Sequence, residues 1–443
     1  MSVHDGETAA PAPAVSTKDR RRALWGSAVG STIEWYDYFL YGTMATAIFA
    51  TYYFPSGDPV VSSLLAFASF ALAFLVRPIG GVIFSHIGDR IGRKKTLVIT
   101  LTLMGVTTML MGLVPTYAAI GVAAPVLLTL LRVVQGLALG GEWGGAVLLA
   151  VEYAPPNRRG FYGAVPQVGA LAGLALGNIV TITVRSILPT EAFVSYGWRI
   201  PFLLSAVLVV VGLWIRSRVD ETPSFRKVRA EGTTQKLPIA TVLRDYRREV
   251  LISTGAKFVE TSTFFIFATF SLSYATSLGY DFGTILILVL IGAIFGIGGM
   301  LFYGGLSDRV GRRRVFLTGS VAVAIFIFPY LAMLSSGNLV LAGIAIITSF
   351  AIVWPTYGSL IGTVLAENFS PEIRYTGASL GYQVGAALVG GPAPLIATAL
   401  LAGFSGSWVP VALFVVVCAL CSFIAVSFVK VRHNEELDVA IKV

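Results

Sequence analysis

Long apolar stretches separated by short polar segments run through most of this chain. A helix needs about 20 apolar residues to cross a hydrocarbon layer of about 30 Å, and most of the stretches reach that length. The pattern therefore predicts twelve membrane-spanning helices. The predicted spans are 24–50, 60–84, 96–115, 121–151, 161–186, 199–215, 250–277, 284–303, 315–334, 339–366, 376–402 and 408–429.

Polar segments divide the pattern into two halves. Residues 1–23 contain few large apolar side chains and are predicted to form a disordered cytoplasmic tail. The longest polar interruption, 216–249, is predicted to be a cytoplasmic central loop. It separates an N-terminal six-helix bundle, 24–215, from a C-terminal six-helix bundle, 250–429. Residues 430–443 are predicted to be a second cytoplasmic tail.

The composition favours an all-α membrane protein over a soluble one. Hydrophobic residues make up 56% of the chain and charged residues only 12%, whereas soluble domains contain about 45–50% and about 25%. The two cysteines, Cys418 and Cys421, lie inside the last apolar span, so we interpret them as helix-packing residues and expect no metal site.

The net charge of +9 is distributed unevenly along the chain. Most of the 32 Lys and Arg residues fall in the tails, the central loop and the connections on one side of the predicted bundle. Because cytoplasmic loops are enriched in Lys and Arg, this asymmetry predicts that both termini are cytoplasmic and that the number of spans is even. The basic charge is therefore expected to face lipid headgroups, and we predict no nucleic-acid partner.

A basic turn occurs twice, about half a chain length apart. The sequence GDRIGRKK at 88–95 lies between the second and third spans, and SDRVGRRR at 307–314 lies between the eighth and ninth. Such duplication indicates two related halves. In a membrane protein it is typical of a transporter whose site lies at the interface between the halves.

These turns, together with LRVVQG at 131–136, resemble the signature of the major facilitator superfamily. Within it, four segments resemble the metabolite:proton symporter family, whose members carry shikimate, α-ketoglutarate, citrate, or proline and betaine. They are IEWYD at 33–37, VRPIGG at 76–81, GGEWGG at 140–145 and GWRIPF at 197–202. The resemblance covers about residues 24–430 and implies two pseudo-symmetric six-helix bundles. It is specific for the family and not for the substrate.

The resemblance also implies that the two basic turns have a gating role and do not contact substrate. The alternative is that they only anchor the topology. The predicted gating residues are Asp89, Arg90, Arg93, Asp308, Arg309 and Arg312.

Carboxylates within the apolar spans are the candidates for proton coupling. Glu34 and Asp37 lie with Tyr41 on one face of the first predicted helix. Each buried carboxylate costs about 2.5–3.5 kcal/mol on insertion scales, so each should face a cavity or a cation. We predict that Glu34 or Asp37 carries the coupled proton; the alternative is a purely structural carboxylate at the helix start.

The fourth span adds Arg132 and Glu142, which lie about 15 Å apart along a helix and are predicted to be separate devices. The resemblance implies a proton-coupling or structural role for Arg132, and substrate contact is the alternative. Glu142 is a further proton-coupling candidate.

Cationic, aromatic and amide side chains within the spans are candidates for substrate binding. Arg77 is expected either to hold an anion or to form an inter-helix ion pair. Lys257 is expected either to pair with Glu260, three residues further along, or to bind a carboxylate. The remaining candidates are Tyr41, Gln167, Tyr357, Tyr382 and Gln383.

Together these features predict a secondary transporter, not an enzyme, in a bacterial plasma membrane. It is expected to import a small organic anion, shikimate-like or a dicarboxylate, by proton symport and as a monomer. No cofactor is expected beyond the coupled proton. The alternatives are a zwitterion or osmolyte carrier, an efflux antiporter, or a membrane sensor without flux. Superfamily exporters carry Gly-Pro-x-x-Gly-Gly in the fifth span, and this chain does not.

Overall fold

The computed structural model describes residues 17–91, 93–141, 150–151, 154–217, 238–369 and 373–429. Within these ranges the chain forms helices joined by turns and short loops, and contains no strand. The prediction of an all-α protein is therefore confirmed.

Six helices precede the central loop. The first, α1, comprises Thr17–Met44, a π-helical turn at Ala45–Phe49 and Ala50–Tyr52. The others are α2 (Pro59–Leu75 and Arg77–Ile91), α3 (Arg93–Leu113), α4 (Ala123–Gly140), α5 (Arg159–Ile187) and α6 (Arg199–Ser217). A π-helical turn, Phe193–Gly197, leads into α6.

A short helix, Pro238–Asp245, leads into the second set of six. These are α7 (Arg247–Ser277), α8 (Phe282–Val310), α9 (Arg312–Leu334), α10 (Leu339–Glu367), α11 (Arg374–Gly403) and α12 (Val409–Ser427). Three of them contain π-helical turns, which are Ile266–Phe270, Ser349–Val353 and Ala386–Gly390.

The apolar length of these helices fits a membrane. Ten described helices are long and apolar enough to cross it, and the pair Thr190–Gly197 and Arg199–Trp214, bent by 51°, makes an eleventh. The remaining helix, α1, is less apolar because Glu34 and Asp37 lie within it. Counted together, α1 to α12 match the predicted number of spans.

The second basic turn is shorter than predicted. We expected α8 to end near residue 303 and α9 to begin near 315, but the helices extend to Val310 and from Arg312. Only Gly311 separates them, with a φ of 100°. Glycine adopts this conformation without a Cβ clash, so the chain reverses at a single residue. Asp308 and Arg309 consequently lie on the last turn of α8 and not in a loop.

The two halves pack by the same scheme. In the first half, α5 lies along α1 and also contacts α8 of the second half; in the second half, α11 lies along α7 and also contacts α2 of the first. The halves also meet where Phe39 of α1 stacks on Phe264 of α7, with ring centroids 4.9 Å apart. These contacts place the ends of α5 and α8, and those of α2 and α11, at the boundary between the halves.

Glycines bring the backbones of α2 and α4 into contact. A Cβ on Gly136 would overlap the carbonyl group of Ala73, and one on Gly140 would overlap that of Arg77. Small residues four positions apart allow membrane helices to approach this closely. The two helices that carry Arg77 and Arg132 are therefore locked together by main-chain contact.

The bundle has two chemically different ends. One end holds Arg159, Asp308, Arg312, Glu367 and Arg374, and is called the basic end below. The other holds the last turn of α5 and the start of α8, and is called the opposite end.

Candidate functional site

Two arginines from the first half occupy the centre of the bundle. Arg77 of α2 and Arg132 of α4 are buried. Their guanidinium carbons lie 4.5 Å and 4.4 Å from the centroid of the Tyr38 ring. In the described residues, the Nε and Nη2 atoms of both side chains have no hydrogen-bond partner. The sequence singled out both arginines as candidates, but it did not indicate Tyr38.

Aromatic rings stabilise these two cations in place of carboxylates. The guanidinium carbon of Arg77 lies 3.9 Å from the Phe74 ring centroid, and that of Arg132 lies 4.0 Å from the Tyr41 ring centroid. Such cation–π contacts are worth about 2 kcal/mol or more when desolvated. The Tyr41 hydroxyl shares a 2.6 Å hydrogen bond with Ser69. Tyr41, a predicted substrate ligand, thus contacts Arg132 in this structure.

Asp37 is linked to Arg132 through a chain of polar side chains. Ser205 of α6 donates a hydrogen bond to the Asp37 carboxylate, and Thr108 of α3 lies beside it. The Gln135 amide donates to the Thr108 hydroxyl over 2.7 Å, while its oxygen accepts from Arg132. The sequence predicted that Asp37 faces a cation or a cavity, whereas in the structure its nearest polar partners are the hydroxyl groups of Ser205 and Thr108.

Glu34, one turn before Asp37 on α1, is also buried but faces a different neighbour. It lies in the electrostatic environment of Tyr382 on α11, in the other half of the bundle. The two carboxylates that the sequence grouped on one helical face therefore serve different surroundings.

The second half contributes a buried ion pair on α7. Lys257 binds the carboxylate of Glu260, and both side chains are almost completely excluded from solvent. The Lys257 ammonium lies 3.6 Å from the centroid of the Tyr382 ring. Of the two alternatives predicted for Lys257, the structure contains the pair with Glu260.

Helix α10 holds the backbone of this pair in place. The Trp354 indole donates a 2.9 Å hydrogen bond to the carbonyl oxygen of Glu260. The Tyr357 hydroxyl shares a 2.9 Å hydrogen bond with Thr263, one turn further along α7. Tyr357 is thus placed against α7, and Trp354 was not among the predicted site residues.

A small cavity lies between α2, α4 and α11. Its volume is about 30 Å³, and Gly81, Gly140, Ser379 and Gln383 contribute to its wall. Gln383 donates a 3.1 Å hydrogen bond to the carbonyl oxygen of Gly140, while its own oxygen and the Ser379 hydroxyl have no partner among the described residues. Such a cavity accommodates water and not an organic metabolite. Gln167 of α5, another predicted ligand, is buried.

Aromatic rings pack together at the centre of the bundle, where the sequence led us to expect a site at the interface between the halves. Tyr38, Phe74 and Phe265 lie within 6.3 Å of one another by ring centroids. The rings come from α1, α2 and α7, so both halves contribute. In the described part of the chain, these rings occupy the space where α1, α2 and α7 meet.

At the basic end, Asp308 joins the two halves. Its carboxylate accepts hydrogen bonds from the backbone N–H groups of Gly160, over 2.7 Å, and Phe161, over 2.9 Å. Arg312 pairs with Asp308 over 3.3 Å and also with Glu367 of α10. Of the three predicted gating residues of the second turn, Asp308 contacts the other half directly and Arg312 pairs with it from within the second half, while Arg309 is exposed.

The side chains of four predicted site residues are not described by the structure. Glu142 and the side chains of Asp89, Arg90 and Arg93 lie outside the described part of the structure.

At the opposite end, an exposed ion pair joins the halves. The Arg185 guanidinium at the end of α5 lies 2.9 Å from the carboxylate of Asp281, which precedes α8. Asp281 also caps α8 by accepting from the backbone N–H of Thr284 over 2.8 Å. That hydrogen bond and the nearby Arg185 charge hold the pKa of Asp281 below its usual range. Sequence reasoning missed this pair, because nothing local relates the two positions.

Comparison with known proteins gives consistent matches over most of the chain. The Major Facilitator Superfamily profile matches residues 27–391. The inner membrane metabolite transport protein YhjE of Escherichia coli is 40% identical over 85% of this chain and 87% of its own length. The shikimate transporter of the same organism is 36% identical over 94% and 96%, and its proline/betaine transporter is 32% identical over 94% and 85%.

Solved structures show the same fold at low sequence identity. The xylose transporter XylE of Escherichia coli, in a partially occluded inward-open conformation, superimposes with a TM-score of 0.74 at 18% identity. The match covers 94% of this chain and 98% of that one.

Proposed function

Since this chain belongs to the Major Facilitator Superfamily, we propose that it imports a small organic anion together with protons. The substrate is a carboxylate metabolite, shikimate-like or a dicarboxylate. It binds between the two halves, which rock against each other to expose the site alternately to each side of the membrane. Protons supply the driving force, and no other cofactor takes part.

Several predictions are confirmed by the family and the fold. The chain is a secondary transporter with the major facilitator fold and is not an enzyme, as predicted from the motifs. It is a membrane protein with many apolar helices. The bounds of the tails, the bundles and the central loop remain predictions.

The pair of buried arginines is the observation that carries the proposal. Arg stays charged in practically any protein environment. A desolvated cation in a membrane protein needs an anion or an aqueous cavity. Arg77 and Arg132 leave four guanidinium nitrogens without partners in the described residues. An anionic substrate supplies the missing acceptors once the rings around Tyr38 move aside.

The other candidates complete the site in this proposal. Lys257 and Tyr382 approach the substrate from the second half. Gln167, Tyr357 and Gln383 supply further polar groups around the substrate. Proton coupling involves Glu34 or Asp37, of which Asp37 is linked to Arg132 through Thr108 and Gln135. This chain of polar side chains therefore connects a proton acceptor, Asp37, with an anion ligand, Arg132.

The location and orientation follow the same reasoning. The protein lies in a bacterial plasma membrane as a monomer, with both termini in the cytoplasm and the basic end facing it. Asp308 and Arg312 then close the cytoplasmic side, while Arg185 and Asp281 close the outer side.

A zwitterion such as proline or betaine is the second candidate substrate. The adjacent charges of Lys257 and Glu260 offer one partner for a carboxylate and one for a cationic group. A relative of this chain is a proline/betaine transporter.

Uptake into proteoliposomes tests the proposal. The protein is reconstituted and given labelled shikimate, α-ketoglutarate, citrate or betaine, with and without an inward proton gradient. We expect at least one carboxylate to accumulate only with the gradient. Arg132→Gln should reduce that uptake more than tenfold, and Arg132→Lys should restore part of it.

Arg244→Gln provides the matched control, because Arg244 is largely exposed on the short helix before α7. Its uptake should equal that of the unmodified protein. Accumulation of betaine alone would favour the zwitterion carrier. If Arg132→Gln keeps full carboxylate uptake, the arginine pair is not the anion site.

A further inference from the structure

The Lys257–Glu260 pair is almost completely excluded from solvent. Both side chains are buried, and the carboxylate of Glu260 binds the ammonium of Lys257 directly. An ion pair in a medium of low polarity is stable only as a pair, because removing one partner leaves an uncompensated charge. Whatever displaces one of these two groups must therefore also change the charge of the other.

Contacts with α10 and α11 hold the backbone of α7 in place beside this pair. Trp354 holds the carbonyl oxygen of Glu260 over 2.9 Å. Gly385 of α11 packs so tightly on α7 that an added Cβ would lie 2.6 Å from Cβ of Lys257. Any exchange at this pair must therefore occur by movement of the side chains alone.

Charged and titratable groups of four other helices lie near the pair. Tyr357 of α10 and Tyr382 of α11 lie within its electrostatic reach, and so does Arg77 of α2 through Lys257. Glu34 of α1 acts on Tyr382. The ammonium of Lys257 thus lies next to the arginine site of the first half, with the ring of Tyr382 beside it.

We propose that Glu260 is a proton carrier that is loaded when the substrate carboxylate takes its place at Lys257. This inference rests on the proposed function, since it requires an anionic substrate. The carboxylate of the substrate accepts the hydrogen bonds of Lys257. Glu260 then has no cation beside it and takes up one proton at its carboxylate oxygen.

The charges balance at each step. Before binding, Lys257 is positive and Glu260 negative. After binding, Lys257 is positive, the substrate carboxylate is negative and Glu260 is neutral, so the site with its bound carboxylate is neutral, as the pair was before binding. On release, Glu260 returns to Lys257 and loses its proton on the side to which the site is then open. Each substrate carboxylate bound at Lys257 therefore brings one proton with it.

Proton uptake on binding provides the test. Full-length protein in detergent, in weakly buffered solution, receives shikimate, α-ketoglutarate, citrate or betaine while the pH is recorded and affinity is measured by calorimetry. We expect uptake of about one proton per carboxylate bound, and an affinity that falls about tenfold per pH unit on the alkaline side. In Glu260→Gln, uptake should vanish and the affinity should no longer vary with pH.

Transport assays separate coupling from binding. Glu260→Gln should retain substrate counterflow and lose accumulation driven by a proton gradient, while Glu260→Asp should restore proton uptake on binding. Asp245→Asn serves as the control, because Asp245 is exposed on the short helix before α7. It should behave like the unmodified protein.

The outcomes distinguish the two proposals. If the unmodified protein binds none of the carboxylates, the proposed function fails and this inference fails with it. If it binds a carboxylate but Glu260→Gln still takes up a proton or still accumulates substrate, only the inference is overturned. Loss of proton uptake in Asp37→Asn but not in Glu260→Gln would assign the carrier to Asp37 instead.

Discussion

The carboxylate of Asp308 at the end of α8 lies 2.7 Å from the backbone N–H of Gly160 at the start of α5. The two residues belong to different halves of the bundle, and the carboxylate also accepts from Phe161. Backbone N–H groups at a helix start favour a negative charge, both by hydrogen bonding and through the helix dipole. Asp308 thus stabilises closure of the basic end.

Asp308→Asn should therefore shift the protein toward forms that are open at the basic end. Loss of the charge weakens two hydrogen bonds and the pair with Arg312, which we expect to cost about 1–2 kcal/mol, or about 5–30-fold in population. Distances between spin labels at Arg158 and Arg314, both exposed, measure the shift. Asp245→Asn controls for loss of a surface charge, and an unchanged distance distribution in Asp308→Asn would rule out the gating role.

Closure at the opposite end should depend on pH and salt through Arg185 and Asp281. The pKa of Asp281 is lowered while it caps α8 and pairs with Arg185. The stabilisation that this carboxylate gives to closure is therefore present above the usual aspartate pKa of about 3.9 and is lost as the pH falls below that value. The side chains are 27% and 57% exposed, so we expect less than about 1 kcal/mol, weakened further by salt.

Labels at the exposed positions Thr183 and Leu278 report this opening. Asp281→Asn at pH 7 should widen this distance, as we expect acidic pH to do in the unmodified protein. Asp58→Asn is the matched control, because Asp58 caps the start of α2 through a 2.8 Å hydrogen bond from Val60. If both variants widen the distance equally, loss of a negative charge at a helix start explains the effect and the ion pair does not.

Ser205→Ala should change how transport responds to pH. Ser205 donates to the buried carboxylate of Asp37, and a donor of this kind favours the charged form of a carboxylate. Without it, proton binding becomes easier, so half-maximal uptake should move to a pH higher by about one unit, equivalent to about 1.4 kcal/mol.

Ser320→Ala is the control for this variant. Ser320 is a buried serine of α9 that bonds to the carbonyl oxygen of Phe316 in its own helix. Its pH profile should stay unchanged. An unshifted profile in Ser205→Ala would indicate that the protonation of Asp37 does not limit transport.

Gly136→Ala should destabilise the first half. The added methyl group would overlap the carbonyl group of Ala73, so α4 and α2 must separate. Overpacking of this kind typically costs about 1–3 kcal/mol. Gly298→Ala on α8 meets nothing within 4 Å and should be neutral. Thermal unfolding in detergent compares the two, and equal melting temperatures would contradict the close helix contact.

The sequence predicted the helices and the burial of charged side chains within them better than the contacts between the helices. Apolar length located the spans, and charges within apolar runs located Arg77, Arg132 and Lys257, because a buried charge is costly wherever it occurs. Periodicity assigned Glu34 and Asp37 to one face of α1. It did not reveal that Ser205 lies next to Asp37 and that Tyr382 lies near Glu34, because a helical face does not specify its neighbour.

The contacts between the halves were the least predictable. Arg185 and Asp281 lie far apart in the sequence and carry no local pattern. The turn around Gly311 was predicted as a longer loop, because the sequence does not show how far α8 and α9 extend into the polar zone. Such features depend on how two separately patterned bundles fit together, which hydropathy does not encode.

The glycine contact between α2 and α4 has a thermodynamic consequence for the whole cycle. Because main chain touches main chain there, the spacing of Arg77 and Arg132 should be the same in the inward-facing, closed and outward-facing forms. A ligand shifts a conformational equilibrium only by its difference in affinity between the forms. The arginine pair then supplies constant attraction, and the preference that drives the transition must come from groups on the other bundle, among which are Lys257 and Tyr382.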